Sequence, residues 1–254
     1  MSKIIENRLL SEFKNRNAFS REELFAFFRI LEPELKVGTL GWRIHDLTQK
    51  NIIKSIQRGY YAISKKPKFE PEISEDILKL AKIITTKFKD VKHCIWDTNW
   101  INEFAQHQSG KRLIIIEIEK DLVESLYYEL KDSFGYDFYL NPDEKTIDYY
   151  IAESQKPVII KKLITRSPIS KRIEKRMTFY IPTLEKILVD LYTENKLFYF
   201  YQGAELMHVF ENSLKNYIIN YTKLFSYASR RDREKEINQF ITNNLSHLVK
   251  HLTE

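Results

Sequence analysis

The sequence predicts an α+β fold in two units: an N-terminal winged helix-turn-helix, then an α+β domain with a mixed sheet and a helical C-terminal part. Three observations predict it. Up to Ile63 the apolar residues form three helix-period segments and then a short β pattern that turns at Arg58-Gly59. Lys65-Lys66-Pro67-Lys68-Phe69-Glu70-Pro71 breaks every period and carries two prolines, as a linker does. Beyond it come β-branched runs, replaced after Pro182 by helix-period repeats. The first unit is therefore placed at residues 1–68 and the second at 69–254, with its sheet over about 91–180 and its helical part over about 181–254.

The first helix is expected from Lys3 to about Lys14, with Ile4, Ile5, Leu9, Leu10 and Phe13 at helical spacing. Ser20-Arg21-Glu22-Glu23 reads as a capping box, in which the serine hydroxyl accepts from the Glu23 amide and the glutamate reaches back to the serine amide. The helix it starts buries Leu24, Phe27, Phe28 and Leu31. Pro33 ends it, since the residue before a proline is pushed out of helical geometry. A third helix follows Gly38-Thr39, with Thr39 as its cap and Leu40, Ile44 and Leu47 as its buried stripe, and ends near Asn51. Ile52, Ile53 and Ile56 on one side of the turn and Tyr60-Tyr61-Ala62-Ile63 on the other make a hairpin, the wing.

In the second unit a helix is expected from Ser74 to about Asp90, with Ile77, Leu80, Ala81, Ile84 and Phe88 inward. Leu113–Ile118 reads as a strand covered on both faces. Asp121–Lys131 is a helix that packs back on it, and Tyr136–Leu140 is a second strand, the spacing of a βαβ crossover. Two more strands are expected near Thr146–Ile151 and Pro157–Ile164. Asp97 reads as the cap of a helix beginning near Asn99, or as a site residue between Trp96 and Trp100.

The charge is concentrated in blocks. Residues 35–68 hold 8 basic groups and 1 acidic, residues 156–176 again hold 8 and 1, and residues 69–155 hold 10 and 18. Each basic block is a surface for a polyanion or an acidic partner, or a charge run that simply faces water. The single cysteine, Cys94, excludes an intrachain disulfide and a cysteine-based zinc site, and gives secretion no support. No apolar run approaches the ~18–20 residues of a membrane span. A soluble, cytoplasmic protein with no membrane partner is expected.

Three helices and a hairpin in this order put the last helix into the major groove of double-stranded DNA and lay the wing along the backbone. The first basic block covers that helix and the wing, as an electrostatic footprint should. With Leu40, Ile44 and Leu47 buried, the opposite face of the third helix carries Trp42, His45 and Gln49, flanked by Arg43 and Lys50. Gln49 has the planar amide that matches adenine, and Arg43 the fork that matches guanine or a phosphate. Packing of Trp42 against the first helix, and pairing of Arg43 with Asp46 or Glu34, are the alternatives. Lys54, Gln57 and Arg58 on the wing, with Lys65 and Lys66 beyond it, complete the expected DNA-binding set. Lys161, Lys162, Arg166, Lys171, Arg172, Lys175 and Arg176 form a second basic surface for a nucleic acid or a protein.

Catalytic signatures are missing. The glycines build neither a P-loop nor a dinucleotide fingerprint, and His247 and His251 stand at i, i+4 without a glutamate to complete a zinc motif. Glu117-Ile118-Glu119-Lys120 faintly matches the acidic-lysine signature of metal-dependent nucleases but lacks a second acidic residue at convincing spacing. No catalytic residue, metal or cofactor is expected.

Thr39-Leu40-Gly41-Trp42-Arg43-Ile44, then Ile53-Lys54-Ser55-Ile56-Gln57-Arg58-Gly59-Tyr60-Tyr61, then Pro182-Thr183-Leu184-Glu185-Lys186-Ile187-Leu188-Val189-Asp190-Leu191 occur in an order and spacing seen elsewhere. In these segments the chain resembles the AbiEi-like antitoxins of the abortive-infection AbiE system, a type IV toxin-antitoxin pair, with Ile95–Tyr150 marking a divergent branch. The resemblance implies a bifunctional, non-enzymatic phage-defence protein. Its winged helix would repress its own operon by binding the operator, and its C-terminal domain would counteract a nucleotidyltransferase-like toxin without forming a stable complex. A stand-alone transcriptional regulator with a ligand-sensing or dimerisation domain, and a winged-helix-guided nuclease, are the alternatives.

Overall fold

The N-terminal elements are α1 (Lys3–Phe13), β1 (Phe19–Ser20), α2 (Arg21–Leu31), α3 (Val37–Gln49), β2 (Ile53–Gln57) and β3 (Tyr60–Ile63). They come from a computed structural model, which describes every residue except 1, 2, 51, 65, 66, 108, 109, 133, 134 and 250–254. The strands form an antiparallel sheet in the order β1-β3-β2 behind the three helices, the arrangement of a winged helix-turn-helix. Both halves of the capping box close. Glu23 N donates to Ser20 Oγ at 3.1 Å and Ser20 N donates to Glu23 Oε2 at 2.6 Å. Helix α3 starts earlier than expected, after Lys36, so Thr39 lies in its first turn and is not its cap. Strand β1, two residues long, carries too short a pattern to be read from sequence.

Leu9, Phe13, Phe19, Leu24, Phe28, Leu40, Ile44, Leu47, Ile53, Tyr61 and Ile63 form the core of this unit. The other face of the wing is also covered. Ile56 and Ala62 are buried in the larger core of the second unit, and β2 lies against α9 (Tyr221–Arg230). A bulge at Ile56, between the pairs Ser55↔Tyr61 and Gln57↔Tyr60, adjusts the hairpin to this two-sided packing. The winged helix is docked on the rest of the protein through its wing.

The second unit opens with α4 (Glu75–Lys87) and β4 (His93–Asp97), followed by a 3-10 turn over Thr98–Ile101 that Asp97 caps by accepting from Asn99 N at 2.9 Å. Next come β5 (Ile114–Ile118), α5 (Val123–Leu130), β6 (Asp137–Leu140), α6 (Glu144–Thr146) and β7 (Pro157–Lys162). The mixed sheet runs β4-β5-β7-β6, with β4 antiparallel to β5 and the other neighbours parallel. The expected crossover is corrected in one respect: β5 and β6 share a sheet, but β7 inserts between them. Thr146–Ile151 is not a strand. Asp143 caps α6 by accepting from Thr146 N, the chain continues as a π-helical turn over Ile147–Ile151, and Ile147 and Ile151 are buried one turn apart.

A hairpin, β8 (Ile169–Glu174) and β9 (Met177–Pro182), follows β7 and packs beside β4. Its two turn residues, Lys175 and Arg176, have φ of 48° and 65° and supply neither glycine nor asparagine, so the sequence carries no turn signal there. The C-terminal part is α7 (Leu184–Thr193), α8 (Ala204–Asn216), α9 and α10 (Glu234–Leu245). Helix α7 is buried from Leu184 through Leu191, including Glu185, Lys186 and Asp190. Among the described residues no helix is long and apolar enough to cross a membrane.

Candidate nucleic-acid interface

The face of α3 turned away from Leu40, Ile44 and Leu47 carries the residues its period predicts. Trp42 is 76% exposed, so it does not pack on α1; its ring instead meets the edge of His45 at 6.4 Å. His45 and Gln49 are exposed beside it. The flanking cations are not free. Arg43 Nη2 donates to both carboxylate oxygens of Glu32, at the end of α2, at 2.9 and 2.8 Å, a partner other than Asp46 or Glu34. Lys50 bridges Glu6 on α1 (2.7 Å) and Asp46 (2.9 Å), and these bonds raise its pKa. Both cations fix α3 against the scaffold, leaving Trp42, His45 and Gln49 as its outward groups.

The wing divides its residues between two faces. Arg58 is exposed at the tip, where Gly59 takes a φ of 80° to close the turn. Gln57 faces a recess against α9 that Arg166 and Arg230 also line, and its Oε1 is buried without a partner. Lys54 faces the second unit, across from Ala62; partial burial and the Lys68 ammonium lower its pKa. Lys65 and Lys66 lie outside the described residues.

The second basic block does not form one surface. Lys161 is only 12% exposed at its side chain and pairs with Glu194, so it belongs to the interior. Arg172 pairs with Glu174 at 2.9 Å and Lys175 with Glu75 at 2.7 Å. Lys162, Arg166, Lys171 and Arg176 are exposed, but β8 and the connections around it spread them over different sides. They sit on separate parts of the chain, Lys162 at the end of β7, Arg166 in the connection to β8, Lys171 in β8 and Arg176 in the β8–β9 turn.

Sequence reasoning missed a buried ion network behind the sheet. The strand register sets Cys94, Glu117 and Lys161 in one row across β4, β5 and β7. Helix α7 lowers Lys186 and Asp190 onto that row. Lys186 Nζ lies 2.6 Å from Glu117 Oε2 and bonds Asp190, which accepts from Tyr227 Oη at 2.8 Å. Arg231 reaches Glu194 at 2.8 Å and Asp190 at 3.7 Å. Burial pushes the Glu117 carboxyl up. Asp190 is equally buried, but Lys186, Lys161 and Arg231 outweigh that and hold its pKa low. Burial opposes the charge of Lys186 as well, yet Asp190 and Glu117 keep it protonated. The network welds the sheet to α7 and α9, and Glu117 is its member, not an open nuclease carboxylate. The available signal was Lys186 and Asp190 at i, i+4 inside an otherwise apolar stripe. His251 lies outside the described residues, and His247 Nε2 stands 3.6 Å from Glu211.

No curated protein matches the chain. A family of unknown function (DUF6577) matches residues 39–247, which take in most of α3, the wing and nearly all of the second unit, and the protein belongs to that family.

Proposed function

We propose that the protein is a DNA-binding transcriptional regulator of the type IV antitoxin kind, working in the cytoplasm and without catalysis of its own. One observation carries the DNA-binding half. Trp42, His45 and Gln49 stand outward on α3 while Arg43 and Lys50 are spent holding that helix in place, and Arg58 projects from the adjoining wing tip. A scaffold that fixes a helix and leaves its polar and aromatic face to solvent suits major-groove insertion. The antitoxin half rests on the resemblance of three segments to AbiEi-like antitoxins, of which Pro182–Leu191 becomes α7, the buried axis of the second unit.

The full chain titrated against the DNA upstream of its own gene tests the first half. Binding should be sequence-specific and weaken steeply with salt. Equal affinity for random duplex would remove the regulator reading. Co-expression with a neighbouring nucleotidyltransferase-like gene product, scored by growth, tests the second: rescue supports it, and toxicity unchanged by the protein rejects it.

A further inference from the structure

Between the wing and the second unit lies a cleft of about 380 Å³, the size range of small-ligand sites. Its walls come from five separate parts of the chain: β2, the linker at Lys68–Glu70, β8, the end of β9 with the start of α7, and the segment from Ile218 into α9. Lys54, Lys68, Lys171 and Lys223 line it, and none has a carboxylate partner among the described residues. The two acids beside them do not neutralise the group. Glu185, which accepts from Asn220 N at 2.8 Å, and Glu70 supply two negative charges against four ammonium groups and Arg172, so the lining keeps a net positive charge. Partial burial, with the Lys68 ammonium adding to it, lowers the pKa of Lys54 in this recess.

The floor is apolar. Phe69, Ile169, Ile181 and Ile218 line it, with Phe69 held edge-on to Tyr217 at 5.7 Å. The Thr183 hydroxyl, also at the cleft, is buried without a partner. Cations beside an apolar lining that includes Phe69 suit an organic phosphate, with its anionic end toward the lysines and its flat or apolar body against Phe69. The cleft opens on the face of the wing sheet that bears Lys54, Ile56 and Ala62, opposite the face that packs on α3. A duplex lying on Trp42, His45 and Gln49 does not fill it.

We infer that this cleft binds a nucleotide-sized organic phosphate, and that the ligand, gripped by the wing and the second unit together, stiffens their junction. The site stands without the DNA-binding reading; only its influence on operator affinity would depend on it.

The test is thermal melting and calorimetric titration of the full chain with the ribonucleoside mono- and diphosphates, with adenosine and inorganic phosphate as controls. At least one nucleotide should raise the melting temperature by about 5 °C at a hundredfold excess over its dissociation constant. Lys171→Gln/Lys223→Gln should melt like the parent without ligand and bind that nucleotide about tenfold or more weakly. The inference is overturned if no nucleotide shifts the melt, if inorganic phosphate or adenosine does as well, or if the double variant responds like the parent. Displacement of the nucleotide by operator duplex would also overturn it, by making the cleft part of the DNA surface. Nucleotide binding with no operator binding would uphold the cleft and reject the regulator.

Discussion

The Lys186 ammonium lies 2.6 Å from the Glu117 carboxylate with both side chains fully buried, one at the start of α7 and the other in the middle of the central sheet. Removing one partner leaves an uncompensated charge in the interior. Lys186→Met is expected to destabilise the protein by roughly 3–5 kcal/mol in urea denaturation, and Lys186→Met/Glu117→Gln to recover part of that. A loss below about 1 kcal/mol in the single variant would mean the network is not desolvated.

Asp76 gives a pH dependence of clear sign. Partial burial works against its charge, but the Tyr136 hydroxyl and Arg112, at 2.7 Å, outweigh it and hold the carboxyl below its ordinary 3.8. The folded state therefore prefers the ionised form. That contribution is complete above pH 3.8 and is lost as the pH falls through the lower folded value. Asp76→Asn should flatten the acid limb of the stability curve relative to the parent. Parallel curves on the acid side would assign the dependence to other carboxylates.

Arg43 and Glu32 should behave as a unit that positions α3. Arg43→Gln and Glu32→Gln are each expected to cost about 1 kcal/mol or less and to weaken operator binding to a similar degree, with the double variant no worse than either. If only Arg43→Gln impairs binding, the guanidinium touches DNA directly.

Gln49 and Arg58 should differ in kind. Gln49→Ala is expected to relax preference at one base pair by about 1–3 kcal/mol. Arg58→Ala should weaken all sequences alike and reduce the salt slope by about 1. An equal effect of Gln49→Ala on every operator variant would take it out of the readout.

Ile56, 2% exposed, belongs to the core of the second unit although its strand belongs to the wing. Ile56→Ala should cost roughly 2–4 kcal/mol. The parent should melt in one calorimetric transition, because the wing contributes to both cores. Two resolved transitions would show that the docking is too weak to couple them.

Much of the N-terminal fold was legible because its signals are local. The Ser20–Glu23 box, the Leu40, Ile44 and Leu47 stripe and the Arg58-Gly59 turn each specify structure within a few residues. The same stripe named Trp42, His45 and Gln49 by subtraction. What stayed hidden depends on distant partners. Thr146–Ile151 reads as β-branched and aromatic, yet Asp143 starts a helix there and only Ile147 and Ile151 turn inward. Lys161 looked like part of a surface block until strand register set it beside Glu117. Arg43 met Glu32 across a helix turn that no period encodes. Charge counting found the basic segments correctly but could not say which members face each other.

The Ile56–Ala62 patch gives the wing the character of a short lever with its fulcrum in the second unit. Arg58 stands two residues beyond Ile56, about 7 Å along the strand, so a 10° tilt at the patch moves the tip by about 1 Å. A hydrogen bond to a phosphate spans about 3 Å and tolerates little stretch. In a protein that grips a duplex as proposed, small rotations of the C-terminal body would be enough to make or break the contact of the wing tip with a phosphate.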